Sequence, residues 1–298
     1  VSKKNKKEEE ITFMLGRVLK LIISMIFRVF DSCFTLLCTL VGKKQKGTCV
    51  ILYYHAVLPE QKKRFSRQME LFKKLVTPLP LDTREPLQRG VHYGSISFDD
   101  GFVCLISTAI PILSKKEIPF TLFIPTAHLG QNPLWIKDST HYSIENSVMN
   151  TDQIKEIAAL PLATIGSHSV THNNFLTFNT ETAEKELTDS RNTLGNIVNK
   201  PVNLFSFPHG AFHDQHIELS RKAGYTRIFS IHPVFTRYGE DEYVIGRTAA
   251  EPTDWDIEFR LKIVGAYRWL PAAFRLKKWL KKIVMFGAGN KQGVVNDK

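Results

Sequence analysis

Between residues 48 and 247, seven short β-rich apolar runs alternate with helical patterns, and this alternation limits the fold more than any other feature. The runs are 48–55 (TCVILYYH), 95–100 (SISFDD), 119–125 (PFTLFIP), 163–167 (ATIGS), 203–207 (NLFSF), 226–231 (TRIFSI) and 243–247 (YVIGR). Helical periodicity falls at 61–76, 104–115, 151–159, 180–198 and 214–223. Asn150, three residues before Gln153, reads as an N-cap pair for the third helix, and Gly224 stands where the last should stop. Strands separated by helices pair in parallel, because each return path needs a crossover. The pattern predicts an α/β fold with barrel-like closure rather than an open sheet. Residues 128–150 form a longer connection of the kind that shapes sites.

Three of the runs end in polar clusters: SFDDGF, GSHSVTH and FSFPHGAF. In barrels of alternating strands and helices, the C-terminal strand ends carry the active site. Asp99 and Asp100 are neighbours, and adjacent carboxylates raise each other's cost of ionisation. A surface Asp-Gly turn bears that cost easily. A site that needs one carboxylate on a metal and a second as a base has a positive reason to keep both. His168 and His172 are four residues apart, so on a helical turn both imidazoles share one face. The two clusters together offer two nitrogens and one oxygen, the donor set of a catalytic zinc with one position left for water.

SISFDDG followed by HSVTH resembles the polysaccharide deacetylases of carbohydrate esterase family 4, over roughly residues 48–250. ILYYHAV and FSFPHGAF are similar to the branch that makes or modifies exopolysaccharides. The resemblance implies an irregular (β/α)7 barrel and hydrolysis of N-acetyl groups in a polysaccharide, oligosaccharide or glycolipid. Carried over by motif, Asp99 is the general base, and Asp100, His168 and His172 bind a divalent ion. Zinc is the first choice of metal, with cobalt, manganese or nickel as substitutes. Pro208, His209 and Gly210 would supply the substrate and oxyanion contact. Two departures stand out. The family's third motif, R-x-P-Y-G, has Ser206 at its Arg position and His209 at its Tyr position, so the base must be oriented from elsewhere. The late L-x-x-x-H motif is not evident, which leaves His55 and then His232 as candidates for the general acid.

The formal net charge of +11 is concentrated in residues 1–47 and 260–298, while 48–259 is net acidic. A nucleic-acid enzyme carries its excess across the working face, so no nucleic-acid partner is expected. Residues 11–42 are strongly apolar but contain Arg17, Lys20, Arg28 and Asp31. That favours a helix lying in the membrane interface over a spanning anchor, which would place Arg28 and Asp31 in hydrocarbon, with a helix packed on the domain as the third reading. A cleaved signal peptide fits poorly. Residues 266–284 combine Trp269, Leu276, Trp279 and Leu280 with five Lys and Arg between 275 and 282, a pattern that suits a membrane-surface helix and equally a helix docked on the domain with a solvated basic face. The expected organisation is a membrane-associating segment (1–47), a catalytic domain (48–259) and a basic amphipathic helix with a tail (260–298).

Cys33, Cys38, Cys49 and Cys104 show no CxxC spacing and read as reduced thiols, which leans toward the cytoplasmic face of a membrane. Trp135, Phe212, Tyr238 and Trp255 are available to stack on sugar rings. A catalytically silent glycan-binding or assembly protein, or a metal hydrolase of another amide or ester, are the competing readings. Retention of Asp99 beside Asp100 argues against silence.

Overall fold

β1 (Thr48–Tyr54) is largely buried and pairs in parallel on both edges, with β3 (His92–Phe98) and β9 (Thr248–Ala249). From β3 the sheet continues in chain order through β4 (Phe120–Ile124), β5 (Ala163–Ser167), β6 (Leu204–Ser206), β7 (Arg227–Ser230) and β8 (Val244–Gly246), all in parallel. A two-residue strand, β2 (Thr77–Pro78), adds to β3. These relationships come from a computed structural model that describes residues 3–43, 45–136, 146–237 and 242–289.

β8 and β9 are the two ends of this sheet, yet one residue, Arg247, separates them in the chain. One extended segment therefore bonds β7 with its first half and β1 with its second, and the sheet curls into a nearly closed barrel. Side chains alternate across the strands with period two. Cys49, Ile51, Phe123, Leu204, Phe229 and Ile245 form a small core inside the barrel. Val50, Leu52, Tyr54, Ile96 and Phe98 belong to the larger core beneath the helices. Gly166 makes room for this inner packing, since a Cβ there would lie 2.5 Å from the Phe123 ring.

The outer layer contains α2 (Lys62–Leu75), α3 (Cys104–Ser107), α4 (Ala109–Lys115), α5 (Thr151–Ala158), α6 (Thr180–Val198), α7 (Asp214–Lys222) and α8 (Asp256–Ile263). The helix expected at 104–115 is split at Thr108, so that Pro111 falls in the first turn of α4, where a missing N–H is tolerated. Asn150 and Gln153 form a reciprocal capping box on α5, with both bonds at 2.9 Å. Gly224 follows α7 with φ +90°. α8 went unrecognised in the sequence, because Glu258 and Lys262 are buried in it and blur the apolar stripe.

Two long helices flank the barrel, α1 (Lys3–Leu40) and α9 (Leu270–Gly289). By length and composition, Ile11–Leu40 is apolar enough to cross a membrane. Part of the 128–150 connection, residues 137–145, lies outside the described residues, as does Tyr238.

Candidate active site at the barrel mouth

Asp99 and Asp100 follow β3 directly, and period-two alternation aims Asp99 inward, on the face of Ser95 and Ser97. Asp100 takes φ 70° and Gly101 φ 62°, both left-handed. Asp tolerates that region better than most residues. Gly101 is required twice, because a Cβ would also lie 2.9 Å from Ile124. The two successive left-handed residues turn the chain so that the neighbouring carboxylates part company.

Asp100 goes to the histidines. Its Oδ1 lies 3.0 Å from His172 Nε2 and 3.7 Å from His168 Nε2. One donor atom from each of the three residues lies within 4.8 Å of the others, and each residue is at most 5% exposed. Oδ1 of Asp100 and Nδ1 of His172 are buried without a hydrogen-bond partner among the described residues. A tetrahedral ion with bonds of about 2.0–2.1 Å separates its donors by about 3.3 Å, so this cluster fits a divalent cation. Nδ1–H of His168 donates to the Ser206 carbonyl oxygen at 2.7 Å, which leaves Nε2 as the free donor atom.

The pair at 168 and 172 does not use the expected helical turn. Ser169 and His172 have φ 68° and 61°, so the segment is a loop. Glu186 of α6 holds it: Val170 N–H and Thr171 N–H donate to Oε2 at 2.9 and 3.0 Å, and the Thr171 hydroxyl donates to Oε1 at 2.8 Å. Ser169 Oγ accepts from His172 N–H at 3.1 Å.

Asp99 goes to Arg247. Nη1 donates to Oδ1 at 2.7 Å and Nη2 to Oδ2 at 2.8 Å. Nη2 also donates to Ser206 Oγ at 2.7 Å, and Nη1 to Ser97 Oγ at 3.2 Å. The guanidinium lies over the Tyr53 ring, 4.6 Å from its centroid. Ser206, at the motif position expected to hold Arg, is thus part of the same network, and the Arg arrives from β8–β9 instead. The sequence did carry a signal for it. Arg247 ends the last predicted strand two residues after inward-facing Ile245, at the rim shared by the three polar clusters.

Charge follows from these contacts. Burial pushes Asp99 up, but Arg247 and His168 outweigh it and hold the carboxyl below its ordinary range. Burial likewise opposes ionisation of Asp100, and His172, His55 and His168 hold it well below that range. Burial lowers His168 to about 4, partly offset by Asp99.

The remaining candidates fall around this centre. His55 follows β1 and is close enough to act on both aspartates. His232 is exposed, and its N–H donates to Ser230 Oγ. Pro208–Gly210 form a 3-10 turn with His209 at φ 59°, its ring 5.0 Å from that of His172. Trp135 stacks on His172 at 4.3 Å and belongs to the site. Phe212 stacks on Phe207, and Trp255 lies under Arg17, so both are packing residues.

Residues 89–228 match the polysaccharide deacetylase family. The chain carries a polysaccharide deacetylase domain. Domains of this family are hydrolases of N-acetyl amide bonds in polysaccharides. The deacetylase domain is similar to a Bacillus subtilis protein described as a polysaccharide deacetylase, YxkH, with 23% identity over 68% of this chain and 71% of that protein. It is also similar to the poly-β-1,6-N-acetyl-D-glucosamine N-deacetylase of Staphylococcus aureus, 26% identical over 51% of this chain; the alignment spans only 52% of that enzyme. Among solved structures, IcaB from Ammonifex degensii superposes with TM-score 0.63 at 19% identity, covering 75% of this chain and 98% of that one. A de-N-acetylase from Aggregatibacter actinomycetemcomitans gives TM-score 0.59 at 16% identity, over 72% and 99%. These superpositions establish the fold.

Proposed function

We propose that this chain removes N-acetyl groups from an N-acetylated glucosamine polysaccharide by metal-dependent hydrolysis. One observation carries the reading: Asp99, gripped by Arg247, stands beside the Asp100–His168–His172 cluster at a single rim. The name of the staphylococcal relative supports the choice of sugar.

Asp100, His168 and His172 would hold the ion, with zinc first and cobalt, manganese or nickel as substitutes. When bound, such an ion supplies Lewis acidity to the acyl carbonyl and acidifies a water. Asp99 accepts the proton of the attacking water. Its depressed pKa keeps it ionised and ready at neutral pH. Arg247 fixes both carboxylate oxygens, so the base has one orientation rather than a choice of rotamers. The Pro208–His209–Gly210 turn contacts the developing oxyanion. His55 donates a proton to the departing amine, and Trp135 holds the His172 ring in place. The same reading assigns catalysis to 48–259 and membrane contact to 11–42 and 266–284, within the flanking segments 1–47 and 260–298.

The test is mass spectrometry of β-1,6-linked N-acetylglucosamine oligomers incubated with zinc-loaded protein, with and without chelator. Loss of acetyl that chelation abolishes is the expected result. Intact acetyl groups across linkage isomers would remove the sugar assignment, and chelator-resistant loss would remove the metal.

A further inference from the structure

α1 is inside-out. In a helix packed on a soluble domain, the apolar stripe faces the core and the polar face meets water. Here Arg17, Leu21, Ser24, Arg28, Asp31 and Thr35 recur at alternating spacings of four and three, which places them on one stripe. That stripe lies on the less exposed side of the helix and is polar except for Leu21; beside it, half-buried Phe27 lies under Arg268. Arg17 donates to Glu258 Oε2 at 2.6 and 2.8 Å and to the Thr253 carbonyl oxygen at 3.0 Å. The Trp269 indole N–H donates to Ser24 Oγ at 2.9 Å. Asp31 pairs with Arg268 at 2.8 Å and with Arg28 at 3.3 Å. Leu21 packs on the small cluster of Leu261, Ala266 and Tyr267.

From Leu15 to Leu40 the opposite face is apolar. Leu19, Ile22, Ile26, Val29, Phe30 and Leu37 are all 45–71% exposed. Of the most apolar window of this helix, only 6% is buried. Such a surface is stable against hydrocarbon and not against water.

The polar seam also decides how the helix meets the bilayer. Arg17 to Asp31 stays on the barrel for about 21 Å, at 1.5 Å per residue. Spanning requires about 20 consecutive apolar residues. Neither Lys3–Gly16, with its charged first half, nor Ser32–Leu40 supplies that length. Arg17 meets the segment that follows β9 at the mouth, while Arg268, its counterpart at Asp31, lies past the end of α8. The Ile263 carbonyl at that end of α8 contacts His92, the first residue of β3. α1 therefore runs from the mouth toward the floor, alongside the barrel.

We propose that α1 is an in-plane membrane helix, clamped to the barrel by its polar seam and sunk by its outer face into one leaflet of an anionic bilayer. The barrel then lies on its side, with its mouth opening along the membrane surface. Exposed Lys20, Arg275 and Lys277 supply the charge that such a leaflet attracts. α9 starts at Leu270, which packs on the same Leu261–Ala266–Tyr267 cluster as Leu21, and its exposed Phe274, Trp279 and Leu280 add apolar surface. The inference rests on the membrane contact proposed above and adds its geometry.

Flotation of the full chain with vesicles of phosphatidylglycerol and phosphatidylcholine tests the contact. Ser2→Cys and Gln45→Cys, each in a Cys33→Ser/Cys38→Ser background, test the geometry with an impermeant maleimide added outside the vesicles. The expected result is flotation, with both ends labelled to the same extent before and after detergent. Flotation with one end protected until detergent overturns the in-plane arrangement and leaves membrane contact standing. No flotation overturns both. Leu19→Asp/Ile26→Asp should cut vesicle binding at least tenfold while circular dichroism and turnover of a soluble oligomer stay unchanged. A dimer that this double variant dissociates, with flotation unaffected, would assign the face to a second copy of the chain and sink the proposal.

Discussion

Arg247 and Asp99 form a two-point ion pair, with contacts of 2.7 and 2.8 Å and no solvent exposure at the arginine. Both partners are buried, so the pair is judged by what happens when one is removed. A lone buried charge typically costs about 3–5 kcal/mol. Arg247→Ala should therefore destabilise the fold by that order. Arg247→Lys keeps the charge but cannot make the fork. It should lower kcat on the order of 10²-fold with little change in KM. It should also move the acid limb of the kcat/KM profile modestly to higher pH, because Asp99 keeps a neighbouring positive charge but loses the paired Arg247 hydrogen bonds that help hold its pKa down. A lysine variant with an unshifted acid limb would mean that Arg247 only supports the fold.

Asp99→Asn removes the base and leaves the three metal-holding residues in place. Turnover should fall by 10²-fold or more, with zinc content by mass spectrometry unchanged. Equal turnover in the variant would take Asp99 out of the reaction.

Glu186 is outside the Asp100–His168–His172 cluster, yet it holds the loop that sets the His168–His172 spacing. Glu186→Gln keeps the shape but replaces one acceptor oxygen with a donor. Zinc affinity, measured by competition with a chromogenic chelator, should weaken on the order of 10- to 100-fold. Unchanged affinity would show that the loop holds itself.

Metal-free protein should lose stability on mild acidification. His168 has a folded pKa of about 4 against an ordinary value of 6.5. Between these values the unfolded chain binds a proton that the folded chain refuses, so stability rises with pH across that window and is lost as pH falls through it. At about 1.4 kcal/mol per pH unit, the loss from pH 6.5 to 4 is on the order of 3 kcal/mol. Asp99 and Asp100, both depressed, add a further loss below their ordinary 3.8. Denaturant titrations at pH 7, 6, 5 and 4 measure the slope, and His168→Asn should flatten its upper part.

If His55 protonates the departing amine, its loss should matter only where the leaving group needs a proton. His55→Ala should slow amide hydrolysis on the order of 10²-fold while an activated acetyl ester is cleaved nearly as fast as by the parent. Equal losses on both substrates would move His55 to a supporting role.

Much of this was legible in the sequence for a local reason. Asp99 and His168 directly follow β3 and β5, with Asp100 and His172 one and four residues further on, so strand register brings both pairs to one rim. The capping pair Asn150–Gln153 and the stop at Gly224 were likewise set by neighbouring residues. Arg247 was missed because its partner lies 148 residues away and is reached only when the barrel closes. α8 was missed because Glu258 and Lys262 are buried only by virtue of Arg17 and Asp254 beside them. The helical turn invoked for His168 and His172 is not used, because i,i+4 spacing is also met by a loop with two left-handed residues. The inverted polarity of α1 depended on which stripe the barrel would claim, a question that periodicity alone cannot answer.

The lone residue that joins the last strand to the first gives the fold an unusual property. A chain whose hoop has not yet shut has no aimed carboxylate, whatever else is in place. Under the proposed mechanism, hydrolysis therefore requires the shut hoop as well as the cluster beside it.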